Sequence, residues 1–161
     1  GHFEGGDFCI IEPGSVLVGW CAERSEEAGA EQVAQWMRDE GWEARVVPIP
    51  AHFIHLDALI VPIAPKLAVA CLDALEDWVI AWLRARGFEF VDVPYRECAM
   101  NLGVNLVGLG NDRILSMATE SDLNTRLRSL GFKVHEPDMS MFTLGGGGVH
   151  CLSQALCRDS A

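Results

Sequence analysis

The sequence predicts an α/β protein built from one unit, strand-strand-helix-strand, used three times. Three observations carry that prediction. First, three segments end alike: "GWEARVVPIP" from Gly41, "GFEFVDVP" from Gly87 and "GFKVHEPD" from Gly131, spaced 46 and 44 residues apart (41 to 87 to 131). Second, each is preceded by a stretch with the apolar period of a helix. Third, each helix is preceded by two β-rich runs divided by turn residues. A period of about 45 residues implies stacked or radially arranged modules. A plain three-layer α/β protein would not need the shared endings.

The elements follow in order. The first hairpin, "FCIIEPGSVLVGW", breaks at Glu12-Pro13-Gly14. Its helix has Ser25 as the expected N-cap, with Glu26 and Glu27 in the first turn where the dipole favours acids. The buried stripe is Ala30, Val33, Ala34 and Met37. The second hairpin, "ALIVPIAPKLAVAC", breaks at Ala64-Pro65, and its helix presents Leu75, Trp78, Val79 and Trp82 on one face. The third, "VNLVGLGNDRILSM", breaks at Gly110-Asn111-Asp112 before a shorter helix with Leu123, Leu127 and Leu130. The repeated glycine ends each helix in the left-handed conformation. A fourth unit begins at Met139, where Met139 and Met141 alternate as strand core. The chain thus reads as one domain over 1–161, with modules about 1–50, 51–96 and 97–138 and a closing strand in 139–161.

Bulk properties exclude several functions. The formal net charge of -11 argues against nucleic acid, which needs clustered Lys and Arg. The longest apolar stretch, around Ala58 to Ala64, contains Pro62 and stops at Lys66, far short of a membrane span. The opening Gly1-His2-Phe3 has neither a basic head nor an apolar run, so the expected location is cytoplasmic. Cysteines stand at 9, 21, 71, 98, 151 and 157 with no C-x-x-C pair, so reduced thiols are expected. Cys9, Cys21 and Cys71 lie in apolar runs, whereas Cys151 follows four glycines and a histidine in "GGGGVHCLSQ".

Polar and reactive groups recur just before each hairpin: "FEGGDF", "HFIHLDA", "CAMNLGVN" and "GGGGVHC". In a radial arrangement those positions converge, bringing Glu4, Asp7, His55, Asp57 and Cys151 together. A cysteine needs a base to become a thiolate, and His55 can serve. Glu4 can fix the histidine's tautomer. Asp57, two residues from His55, is expected on the same side of a strand, where its carboxylate suits a planar guanidinium. The four glycines let backbone amides approach the reacting carbon. Asn101 and Asn105 read as turn or strand-end amides, and His52 and His150 as neighbours of the site.

The ordered motifs "FEGGDF", "HLD" and "GGGGVHCLSQ", with the modules between them, resemble the C-terminal portion of the guanidino-group-modifying enzymes. These include arginine deiminases, agmatine deiminases, dimethylarginine dimethylaminohydrolases, arginine dihydrolases and amidinotransferases. The resemblance covers the whole chain. It implies a partial pseudo-fivefold α/β propeller, with Cys151 as nucleophile, His55 as general acid/base and Glu4 orienting it. Asp57 becomes a guanidinium ligand, and Asp7 is grouped with it on the substrate side. The implied substrate is a small guanidino compound, with no metal or organic cofactor. The acid in "HLD" is what deiminases and amidinotransferases carry, where many dimethylarginine hydrolases resemble H-L-K; it tilts the substrate towards an unsubstituted guanidinium. Because the motifs begin halfway through the family's length, the remaining modules are expected upstream or on another chain, or the chain is expected to form a homo-oligomer. Two rivals are a zinc site from His52, His55, His150 and Cys151, and a non-catalytic interaction fragment. A phosphate-binding loop is excluded by the lack of Lys-Ser/Thr after the glycines.

Overall fold

The computed structural model describes residues 1–156. Cys157 and the end of the expected closing segment lie outside them. Nine strands form three sheets of three: β1 (Phe8–Glu12), β2 (Ser15–Trp20) and β3 (Glu43–Pro48); β4 (Ile60–Ala64), β5 (Leu67–Ala70) and β6 (Glu89–Asp92); β7 (Val107–Gly110), β8 (Arg113–Leu115) and β9 (Lys133–His135). In each sheet the first two strands pair antiparallel and the third returns parallel to the second. The crossovers carry helices α1 (Glu27–Asp39), α2 (Asp77–Ala85) and, after the short α3 (Tyr95–Asn101), α4 (Ser121–Ser129).

The repeat holds down to single hydrogen bonds. Gly41, Gly87 and Gly131 have φ of 83°, 81° and 96°. Each donates its N–H three residues back, to Arg38, Arg84 and Arg128. The following aromatic donates five back, Trp42 to Met37, Phe88 to Leu83 and Phe132 to Leu127. This pair of bonds is the Schellman closure, which satisfies carbonyls a helix end leaves free. The next residue, Glu43, Glu89 or Lys133, then donates to the hairpin turn at Gly14, Lys66 or Asp112 and starts the parallel strand. Each hairpin also slips register beside its turn, at Ile10/Glu12, Pro62/Ala64 and Gly108/Gly110.

The first strands stand side by side, β4 lying against β1 and β7, consistent with the expected radial arrangement. Both faces of β2 are buried. Val16 and Val18 pack with Ala30, Ala34 and Ala44 under α1. Leu17 faces the larger core, which joins Ile60, Val69, Leu83 and Ile114 across all three modules. Each fully buried aliphatic chain contributes about 1.5–3 kcal/mol. That continuous core fixes the inner ends of the modules, where the site lies.

Several expectations are corrected. Ser25 does not cap α1: Glu26 takes the N-cap position without a side-chain bond, and the buried Ser25 hydroxyl accepts the Glu4 N–H at 3.0 Å. Leu75 precedes α2, and Trp78 and Leu130 are exposed. Residues 139–156 form no strand. Asp138 accepts the Ser140 N–H at 2.9 Å and starts the short helix α5 (Ser140–Thr143), leaving Met141 76% exposed. No helix among the described residues is long and apolar enough to cross a membrane.

Candidate active site

The segment before β1 sets the first pair. Glu4 is extended and followed by a 3-10 turn over Gly5–Asp7. Its Oε2 lies 2.5 Å from His55 Nε2. That hydrogen bond, ahead of the opposing effect of burial, holds the Glu4 carboxyl below its ordinary range. Arg24 Nη1 lies 3.7 Å from Glu4 Oε1 and remains exposed. The glycines of "EGGD" have a steric reason at one position: a Cβ on Gly6 would stand 2.7 Å from His55 Cγ. The imidazole rests directly on that α-carbon.

Asp7 is placed differently from the expectation. It is fully buried, and its Oδ1 accepts the N–H of Leu56 at 2.8 Å. Burial pushes its carboxyl up, opposed by the Ser25 hydroxyl and the Leu56 N–H. A group with no exposed surface cannot touch substrate; Asp7 anchors the segment that carries His55 and Asp57.

That segment is not a strand. His55 is extended and serves as N-cap of a 3-10 turn over Leu56–Ala58. Ile54, just before it, has a φ of 68°, a setting a β-branched residue rarely takes and one that costs about 1–3 kcal/mol. Its carbonyl accepts the Cys21 Sγ–H at 3.4 Å, and the His55 N–H bonds Phe53 O at 2.7 Å. The turn therefore aims the two side chains apart. His55 reaches Glu4, while Asp57 Oδ2 accepts from His150 Nδ1 at 2.8 Å and lies 3.5 Å from Cys151 Sγ.

The glycine run delivers Cys151. Gly146 has a φ of 82°, and a Cβ on Gly148 would stand 2.3 Å from Asn105 Oδ1. Asn105 is 1% exposed. Its Oδ1 accepts from His150 N at 2.9 Å and Cys151 N at 3.4 Å, and its Nδ2 donates to Cys151 Sγ at 2.9 Å. Burial, then the Asp57 carboxylate, hold the Cys151 thiol above its ordinary range; the Gly148 backbone and the Asn105 amide oppose them. Cys151 is the exposed free cysteine among the described residues. Burial pushes the Cys9 thiol up to about 12 and the Cys98 thiol higher still.

The structure thus gathers Glu4 with His55, and Asp57 with Cys151. No hydrogen bond joins His55 to Cys151 among the described residues, against the direct thiol–imidazole pair expected. Sequence reasoning set Asn105 aside as a turn or strand-end amide and His150 as a neighbour of the site, and missed Arg24. For Asn105 a signal existed: it stands just before the third hairpin, as Asp7 and Asp57 stand before the first two. The four zinc candidates are divided among three partners: His52 meets Tyr95, His55 meets Glu4, and His150 and Cys151 both meet Asp57. No group of three His, Cys, Asp or Glu suited to a metal occurs among the described residues.

Known proteins are similar to this chain in sequence and fold. A family model described as N,N dimethylarginine dimethylhydrolase, eukaryotic, matches residues 1–158. An uncharacterized protein of Bacillus subtilis, YkgA, is 29% identical over 157 residues, covering 96% of this chain and 52% of that protein. An arginine deiminase of Rhodococcus erythropolis is 23% identical, with coverage of 97% and 46%. Among solved structures, SxtG, an amidinotransferase from Microseira wollei, superposes with a TM-score of 0.83 at 17% identity, covering 99% of this chain and 48% of that one. DDAH from Pseudomonas aeruginosa complexed with citrulline gives 0.72 at 21%, covering 92% and 54%. These structures share the fold, and the chain spans about half the length of the curated relatives it matches. Since the family model runs from the first residue past Cys151, the chain belongs to the N,N dimethylarginine dimethylhydrolase family of guanidino-group-modifying enzymes.

Proposed function

We propose that this chain carries the catalytic groups of a guanidine hydrolase working through a covalent Cys151 thiouronium. The observation behind it is the Asp57 carboxylate 3.5 Å from the Cys151 sulfur. An anion beside a nucleophilic thiol hinders its ionisation. A guanidinium paired with Asp57 removes that hindrance and sets its electrophilic carbon beside the sulfur. The site therefore suits a cationic electrophile and penalises a neutral one.

The steps follow from the residues. Guanidinium binding takes Asp57 from His150. The Cys151 proton passes to His55 by way of a water or a substrate nitrogen, since the two side chains share no bond. Sulfur adds to the guanidinium carbon, and the C–N bond breaks as His55 returns the proton to the leaving amine. A water then gives its proton to His55 and adds to the same carbon. The C–S bond breaks with its electron pair returning to sulfur, and the added hydroxyl gives its proton to solvent, releasing a urea such as a citrulline. Glu4 fixes the imidazole. Arg24 offers an exposed guanidinium beside this pair, suited to an amino-acid carboxylate. Asp7, having no exposed surface, acts through the backbone of Leu56.

An electrophilic amidine tests the reading. A full-length folded protein should gain one adduct, mapped to Cys151 by mass spectrometry; no adduct there refutes it. An amine replacing water would give amidinotransfer from the same intermediate, and a new guanidino product on adding glycine would reveal it. Between substrates, Asp57 favours unsubstituted guanidinium, because methylation removes N–H donors. Faster turnover of dimethylarginine than of arginine would reverse that preference.

A further inference from the structure

We propose that Asn105 is the hydrogen-bond donor that stabilises the Cys151 sulfur as an anion, both before attack and when sulfur leaves the covalent intermediate. The proposal rests on Cys151 being the nucleophile. It goes beyond that reading by assigning a stabilising group to the sulfur itself.

The orientation of the Asn105 amide is fixed by its surroundings. Backbone N–H groups only donate, so the atom facing His150 N and Cys151 N must be the carbonyl oxygen. The NH₂ is then forced towards Sγ, at 2.9 Å. The side chain is almost fully buried, so it has no freedom to turn away. The glycine turn completes the fixture. At Gly148 even a methyl group would strike Asn105 Oδ1 and Cγ, at 2.3 and 2.9 Å. The backbone of the cysteine turn and the amide are thus held in one register.

Such a donor distinguishes the two states of sulfur. A thiolate is a strong acceptor, while a sulfur bonded to the guanidinium carbon is a weak one. The bond therefore favours the thiolate over the adduct. When water attacks the thiouronium, its proton goes to His55 and the C–S electron pair goes to sulfur. The Asn105 N–H meets the charge as it develops, and does so without reorganising. It opposes Asp57, which acts on the same sulfur in the other direction, so the pair sets how far the thiol is held back while no cation is bound. Burial is the largest influence raising the thiol, Asp57 the next, and Asn105 is among those lowering it.

Two substitutions separate this role from scaffolding. Asn105→Asp keeps the oxygen that accepts two backbone N–H groups and puts a second oxygen against sulfur in place of the donor. Asn105→Ala removes both functions without adding charge. The readout is the midpoint of the pH profile for alkylation of Cys151 by iodoacetamide, resolved by peptide mass spectrometry on full-length protein with native circular dichroism. The aspartate variant should move the midpoint up by about one unit or more, a tenfold change in thiolate fraction at pH below it. The alanine variant should move it up by less. A midpoint unchanged in the aspartate variant overturns the proposal. If buried aspartate prevents folding, an unchanged midpoint in the alanine variant does so instead. Iodoacetamide needs no guanidine site, so a protein that fails to turn over guanidines but shows these shifts loses its functional reading and keeps this one.

Discussion

Replacing Asp57, the proposed guanidinium ligand, should make the Cys151 thiol easier to ionise, not harder. In Asp57→Asn the side chain keeps its shape, and its oxygen can still accept from His150 Nδ1, 2.8 Å away. What disappears is a negative charge 3.5 Å from Cys151 Sγ. Two unit charges at that distance repel by roughly 1 kcal/mol in bulk water and roughly 5 kcal/mol at an effective dielectric near 20. Cys151 is exposed while Asp57 is buried, so the figure for bulk water is the lower bound. The midpoint for alkylation of Cys151 should then fall by about one unit, since one unit is about 1.4 kcal/mol. At neutral pH this gives about tenfold more thiolate, each about threefold less nucleophilic at a Brønsted slope near 0.5, for a net gain of roughly threefold. Turnover of a guanidine should collapse in the same variant, because the cation has lost its partner. Peptide-resolved iodoacetamide alkylation from pH 5 to pH 10, beside a turnover assay, reads both. A midpoint that stays or rises in a natively folded Asp57→Asn protein would refute the electrostatic argument for the site.

Three further outcomes are expected. Gly148→Ala should destabilise by about 1–3 kcal/mol through overpacking against Asn105 and depress Cys151 alkylation, while Gly147→Ala, whose Cβ would meet only the Leu152 side chain at 3.4 Å or more, should melt near the parent temperature. Calorimetry of the two variants checks this, and equal melting temperatures would contradict it. Glu4 has a lowered carboxyl pKa in the folded chain, so its contribution to stability is present above its unfolded pKa of about 4.3 and is lost as pH falls through the lower folded value. Urea midpoints measured from pH 6 to pH 3 should fall less steeply in Glu4→Gln than in the parent. Residues 1–161 alone should be inactive, or nearly so, on free arginine, since contacts remote from the reacting carbon hold a substrate in place and the relatives are about twice as long. Turnover by the isolated chain at the rate of a complete enzyme would contradict that.

What the sequence made legible was periodic. The glycine-aromatic endings announced the helix closures because a left-handed residue followed by a buried aromatic is a local requirement, met within six residues. The hairpins were legible for the same reason. The pairing of Glu4 with His55 was legible from the imidazole's need for an acceptor, whereas Cys151, expected against His55, meets Asp57. What stayed hidden was non-local. Ser25 has the look of an N-cap, yet its hydroxyl goes to Glu4, 21 residues earlier. Asp7 has the look of a ligand, yet a partner 49 residues away buries it. His55 and Asp57 alternate as a strand would, yet Ile54 takes a positive φ, which a β-branched residue does not advertise, and a 3-10 turn begins straight after His55.

Asp7 and Asn105 show how the repeat produces a site. Each stands three residues before the register shift of its hairpin, is buried, and uses Oδ1 to accept a backbone N–H from a later segment: Leu56, next to His55, and His150, next to Cys151. Each also sits where a glycine leaves room, with a Cβ on Gly19 only 2.8 Å from Asp7 Oδ1 and one on Gly148 only 2.3 Å from Asn105 Oδ1. The segments carrying His55 and Cys151, the two proposed catalytic side chains, are therefore held by the same device. Asp57, two positions earlier in the module between them, five residues before the register shift at Pro62, has its charge beside the sulfur instead of a backbone amide. One position of the repeat thus serves as a fixture in two modules, while the proposed guanidinium ligand comes from a different position of the module between them. The roles divide by what each side chain meets: Asp7 and Asn105 find a backbone N–H, whereas Asp57 finds a histidine and a thiol, from both of which a cation can draw it.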